Sequence, residues 1–196
     1  MQRLNKISNT VWSFAVVDCD VELAIPFFNH LSDLHKSDKL CSTIENQIQL
    51  HQASLWFTIE HEMKSLIPCD LAEEFLSSFT KIQTSPSKFQ KDVVTTLRSL
   101  DLGVREEATC KQTGYSIDAI VTTKTGADVA VEVDGPDHFL GRKPLGSTVL
   151  KRRQLKKIGE IPLLSLPHWK WIDLKGRKKK QDFLEMEMKK VMLAPH

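Results

Sequence analysis

The sequence has no apolar run approaching the roughly 20 residues that span a bilayer. The longest candidate, Val11 to Val17, is short and broken by Ser13, so no membrane span is expected. Cysteine is sparse too: Cys19, Cys41, Cys69 and Cys110 lie more than 20 residues apart. That spacing lacks the close pair of a structural zinc site and is too thin for a secreted disulfide framework. The four read as buried thiols in a reducing compartment. No secretory signal is visible. The first 17 residues carry Arg3 and Lys6 and no acid, as a mitochondrial presequence does. Trp12, Phe14 and Val16–Val17, however, read as the inside of a packed helix.

Acid is scarce beyond residue 141. Residues 142–196 hold 15 Lys+Arg against 5 Asp+Glu, whereas residues 1–141 hold 12 against 20. Such an asymmetry points either to a polyanion partner, nucleic acid first, or to a solvated basic surface. The 196 residues, 41% of them hydrophobic, suffice for one ordinary domain or two small ones with a real core.

Strand-type alternation is nearly absent from residues 1–82. Ala24, Phe27, Phe28, Leu31 and Leu34 form one helical stripe, and Ile44, Ile48, His51 and Leu55 another. Ser42 with Glu45 resembles a capping box before the second. Asp70 with Glu73 marks the start of a helix carrying Leu71, Phe75 and Phe79, and Pro26 and Pro68 fit helix starts. The breaker cluster Thr84-Ser85-Pro86-Ser87 places a boundary between an α-helical segment, 1–83, and a second domain, 84–196. Ser85 is the expected cap of the next helix, with Phe89, Val93, Leu97 and Leu100 on its buried face. Strands are then expected at Val104–Cys110, Ser116–Val121, Val129–Val133 and Ile161–Leu166. Helices are expected at Thr148–Ile158, ended by Gly159, and at Asp182–Leu193. The order α, β, β, β, α, β, α, an antiparallel start joined to a later crossover helix and strand, makes this half α/β or α+β.

On the third strand Glu132 and Asp134 point one way while Val131 and Val133 point the other. Asp118 on the neighbouring strand adds a third carboxylate. Three such oxygens suit Mg²⁺, which would activate a water for phosphodiester hydrolysis. On the helix that follows, Leu150, Leu155 and Ile158 define a buried arc with Lys151 inside it and Arg152, Arg153, Lys156 and Lys157 outside. A lysine on that stripe needs a partner, and the acidic cluster is the expected one. Three readings stay open: a structural polar network, a nucleic-acid contact site, or a hydrolytic site. His138 is a packing residue or a ligand. Trp169 and Trp171 either stack on bases or close a core edge, the latter for at least one of them. Lys175, Arg177, Lys178, Lys179 and Lys180 form a solvated loop or a phosphate contact.

Glu132-Val133-Asp134-Gly135-Pro136-Asp137-His138-Phe139, Thr148, Leu150-Lys151-Arg152-Arg153-Gln154-Leu155, Gly159 and Pro167-His168-Trp169 resemble, in order and spacing, the signature of the RAP domain. The resemblance covers roughly Phe89 to Leu193. It implies a restriction-endonuclease-like, PD-(D/E)xK-type mixed-sheet fold, a mitochondrial or plastid location, and a role in RNA processing, stability, translation or ribosome assembly. The implied partners are organellar mRNA or rRNA and ribosomal or other ribonucleoprotein subunits. RNA binding would need no cofactor. Asn9-Thr10-Val11-Trp12-Ser13-Phe14-Ala15 and Gln49-Leu50-His51-Gln52 resemble the helical repeats that precede RAP domains, as in relatives of the Fas-activated serine/threonine kinase. About two repeat units fit, as in the tail of a longer array.

In the nuclease superfamily an Asp is followed by an acidic residue, one spacer and Lys. Asp118 and Glu132 fill the first two places here, but Asp134 takes the lysine place, and Lys151 would restore the charge from the helix. A non-catalytic RNA-binding module is therefore the first expectation, with His138, Arg152, Arg153, Lys156, Lys157, Trp169 and the 175–180 cations as RNA contacts. A Mg²⁺-dependent endoribonuclease using Asp118, Glu132, Asp134 and Lys151, and a structural subunit of an organellar ribosome, are the alternatives.

Overall fold

Helical spacing of apolar residues gives way to period-two alternation along the chain, and the computed structural model follows that change. It describes residues 2–37, 39–81, 85–159 and 161–193, with side chains from residue 4 onward. The chain is mixed α/β, with N-terminal helices followed by a mixed sheet. By backbone contact it divides into two units. One is Met1–Gln83 with Val149–Lys157; the other is Thr84–Thr148 with Ile158–His196. The boundary expected at 83–84 lies outside the described residues.

The first unit contains α1 (Gln2–Val17), α2 (Ile25–Lys36), α3 (Ile44–Leu55) and α4 (Cys69–Thr80), with a π-helical turn, Trp56–Glu60, extending α3. Helix α3 packs against α1 and α4. Val11, Ala15, Phe28, Leu31, Leu50, Trp56 and Phe75 are fully or almost fully buried in one core, and Leu150 joins them from the distant part of the chain. The start of α3 is one residue later than Ser42 with Glu45 implied. Thr43 is the cap: its Oγ1 accepts from the Asn46 N–H, and the Thr43 N–H donates to Asn46 Oδ1, both at 3.3 Å. That places Ile44 in the first turn, where it is 61% exposed. The buried side of α3 is carried instead by Asn46, Leu50 and Ala53, with His51 and Leu55 also buried. Asp70 does not cap α4 but pairs with His35 at 2.9 Å. None of the four cysteines is buried: Cys41 and Cys69 are exposed, Cys19 and Cys110 intermediate.

The second unit begins with α5 (Lys88–Arg98), capped by Ser87 rather than Ser85: the Ser87 Oγ accepts from the Gln90 N–H at 3.0 Å. Three strands follow, β1 (Gly103–Thr109), β2 (Ser116–Thr122) and β3 (Asp128–Asp134), joined antiparallel. A small hairpin of β4 (Phe139–Leu140) and β5 (Lys143–Pro144) leads to α6 (Gly146–Ile158). Gly159, at φ 67°, ends α6 in the left-handed region that glycine adopts without penalty. Strand β6 (Leu163–Pro167) then pairs parallel with β3, giving the order β1-β2-β3-β6. A parallel pair needs a long crossover, and here that connection carries Val149–Lys157, the stretch that groups with the helical unit. Helix α7 (His168–Trp171) is a single turn, and α8 (Arg177–Leu193) starts five residues before the expected Asp182. Val93, Val94 and Leu97 of α5, Val129, Val131 and Val133 of β3, and Leu184 and Met188 of α8 build the core. Among the described residues no helix is long and apolar enough to cross a membrane.

Candidate nucleic-acid interface

Period-two alternation on β3 sends Val129, Val131 and Val133 into the core and leaves Ala130, Glu132 and Asp134 on the opposite face. Both carboxylates are nevertheless buried, Glu132 at 4% and Asp134 at 3% exposure. The β2–β3 ladder pairs Ala119 with Val131, so its continuation sets Asp118 opposite Glu132. There the Asp118 side chain takes over from the ladder: its Oδ2 accepts the Val133 N–H at 2.7 Å. Asp134 Oδ2 accepts from Ser165 Oγ on β6 at 2.6 Å. His138 Nδ1 lies 3.8 Å from Asp134 Oδ1 and 3.3 Å from Thr148 Oγ1, with the ring half-exposed. A backbone amide and a neutral hydroxyl thus each donate to one oxygen of this acidic cluster. Among the described residues no group of three or more His, Cys, Asp or Glu is placed to hold a metal ion.

The buried side of α6 differs from the expected arc. Leu150 and Gln154 are fully buried, while Lys151, Leu155 and Ile158 are half-buried. Gln154 Nε2 donates to the Gln52 carbonyl at 2.9 Å. Arg153, expected to face outward, donates through its guanidinium to Glu60 and to the carbonyls of Ala15 and Val16. Those carbonyls end α1, where the last turn lacks intrahelical donors and a cation is favoured. Lys157 pairs with Glu62 at 3.1 Å, Arg152 is half-buried and Lys156 is exposed. Three apolar residues are too few to fix the buried arc of α6, and a fully buried glutamine leaves no mark in a hydrophobic pattern.

Around α7 and α8 the side chains sort into two kinds. Trp171 is core: it is buried, and its Nε1 donates to Asp92 Oδ2 at 2.8 Å. Lys180 reaches the same oxygen at 2.6 Å and lies 5.2 Å from the Trp171 ring centroid. Burial works to raise the Asp92 pKa, but the hydrogen bonds from Lys180 and Trp171 outweigh it and hold the carboxyl below its usual range. Lys178 pairs with Asp182 at 2.8 Å, which raises the lysine's pKa. Lys175, Arg177 and Lys179 are exposed and make no ion pair among the described residues. The 175–180 run is therefore the first turn of α8 and the residues before it, with Gly176 at φ 83° making the bend. Trp169 is half-buried, edge-on to Phe139 at 4.5 Å and to His168 at 5.1 Å.

Residues 131–187, from β3 into α8, match the family model of the RAP domain. This stretch is a RAP domain. No curated protein matches the chain. RAP domains are generally RNA-binding domains. The matched stretch takes in Glu132, Asp134, His138, the whole of α6, Trp169 and the cations at the start of α8, but not α5, β1 or β2, and so not Asp118. Within the RAP domain the β4–β5 hairpin escaped the sequence reading, because two-residue strands are too short for alternation. Gly141 between Leu140 and Arg142 was the available turn signal.

Proposed function

We propose that the protein binds RNA in an organelle, the mitochondrion first and the plastid second, and acts in RNA processing, stability, translation or ribosome assembly. The observation that carries the binding is the set Lys175, Arg177 and Lys179, exposed and without carboxylate partners among the described residues, inside the RAP domain. Cations crowded at the start of a helix oppose its dipole and cost stability. A polyanion that neutralises them offsets that cost. The same chain carries a net positive charge only in its last segment, as a phosphate-contact surface requires. The restriction-endonuclease-like fold belongs to this proposal, and the antiparallel β1-β2-β3 meander followed by a helical crossover to parallel β6 supports it.

Among the described residues the carboxylates of Asp118, Glu132 and Asp134 are not grouped as a set of three that could hold a metal ion. The proposed role is therefore binding, and RNA affinity is expected to be unchanged by EDTA. The deciding experiment is a salt series of RNA affinity with the wild type and Lys175→Gln/Arg177→Gln/Lys179→Gln. The triple variant is expected to lower the slope of log K against log salt by about 2. Equal slopes would remove these residues from the interface, and absence of RNA binding by the wild type would remove the function.

A further inference from the structure

Strands β4 and β5 pair Phe139 with Pro144 and Leu140 with Lys143 around Gly141, whose φ is 63°. Leu140 is 78% exposed at the tip. A single exposed leucine is ordinary, but its setting is not. Arg142 and Lys143 follow it, both exposed and neither paired with a carboxylate among the described residues, and residues 139–145 contain no acid. The base of the hairpin is braced. The Leu145 N–H donates to the His138 carbonyl at 2.9 Å, and the Phe139 ring packs edge-on against Trp169. Bracing removes most of the ordering cost that a mobile loop would incur on binding.

We propose that the β4–β5 hairpin is an RNA-contact element for unpaired nucleotides, with Leu140 against a base and Arg142 and Lys143 on the flanking phosphates. This rests on the RNA-binding function above and names the substrate class: RNA with exposed single-stranded bases. An A-form duplex hides its base faces, and its deep groove is closed to side chains. An apolar tip has nothing to meet there. In single strands the base faces are open, and a leucine laid against one removes apolar surface from water whichever base it is. The hairpin therefore adds a preference for unpaired RNA to a surface that otherwise recognises only charge.

The test uses the full chain with two probes, an unstructured RNA oligonucleotide and a blunt RNA duplex of equal length, followed by fluorescence anisotropy over a salt series. Leu140→Ser is expected to weaken single-strand binding about fivefold with an unchanged salt slope, and to leave duplex binding as it was. Leu140→Met, which keeps the apolar contact, should bind as the wild type does. Arg142→Gln/Lys143→Gln is expected to lower the single-strand slope by about 1 to 2. Wild-type RNA binding that none of these variants alters overturns the hairpin's role and leaves the RNA-binding function standing. A wild type that binds neither probe overturns both. Binding to phosphatidylserine vesicles that Leu140→Ser abolishes, with RNA binding intact, would assign the tip to a membrane surface instead.

Discussion

Two basic segments of similar composition differ in which of their cations the chain itself pairs. On α6, Arg153 and Lys157 are paired with Glu60 and Glu62 within the helical unit. At the start of α8, Lys175, Arg177 and Lys179 are exposed without such partners, and only Lys178 and Lys180 are paired. Counting lysines and arginines treats the two alike; what separates them is whether the rest of the chain supplies an acid within reach. The sharpest way to break the comparison is Arg153→Ala. It removes the partner of Glu60, whose side chain is only 7% exposed, and uncaps the end of α1. A stability loss of about 3 kcal/mol is expected from urea unfolding, since the remaining carboxylate is left buried and unpaired. Arg153→Lys should recover only part, because an ammonium cannot reproduce the guanidinium fork. If Arg153→Ala leaves stability intact and weakens RNA binding, α6 is a nucleic-acid face after all.

A second, smaller effect separates Lys180 from its neighbours through pH. The Asp92 carboxyl is held below its usual range in the folded protein. Its contribution is therefore complete above the unfolded-state pKa, about 4, and is lost as pH falls through the lower folded value. Asp18 acts in the same sense in the helical unit, where the hydrogen bond from Trp56 lowers its pKa. Acid should weaken the wild type, and Asp92→Asn should show a smaller drop in urea midpoint between neutral and acidic pH. Equal drops in the two proteins would mean that the Lys180–Asp92–Trp171 arrangement contributes nothing that titrates.

The contrast also explains what was legible in the sequence. Strand and helix positions followed from periodicity, and the RAP domain from a short run of acid, glycine and aromatic landmarks, because both are local properties. Caps were displaced where two hydroxyl residues compete at neighbouring or nearby positions: Thr43 rather than Ser42, Ser87 rather than Ser85. Each contest is settled by which hydroxyl meets the N–H three residues on, Asn46 for Thr43 and Gln90 for Ser87. The roles of Arg153 and Gln154 were not legible, because their partners Glu60 and Gln52 lie about a hundred residues away along the chain. Lys180 was hidden for the same reason, since Asp92 belongs to α5. The acidic strand end lay between: alternation put Glu132 and Asp134 on one face, but the hydrogen bonds from Ser165 to Asp134 and from the Val133 N–H to Asp118 depend on sheet register.

The smallest effect is also the most discriminating. Lys179→Gln removes an exposed charge that no carboxylate among the described residues holds, so stability should stay within about 0.5 kcal/mol of wild type. Relief of repulsion at the start of α8 would act in the stabilising direction. RNA affinity at low salt should nevertheless fall, and the salt slope should drop by about 0.7, the share of one phosphate contact on a single strand. Lys157→Gln is the matched control, a lysine whose partner is Glu62. It should leave the slope unchanged. Should the two substitutions shift the slope equally, exposure and pairing would not be what divides the basic segments, and net charge alone would account for binding.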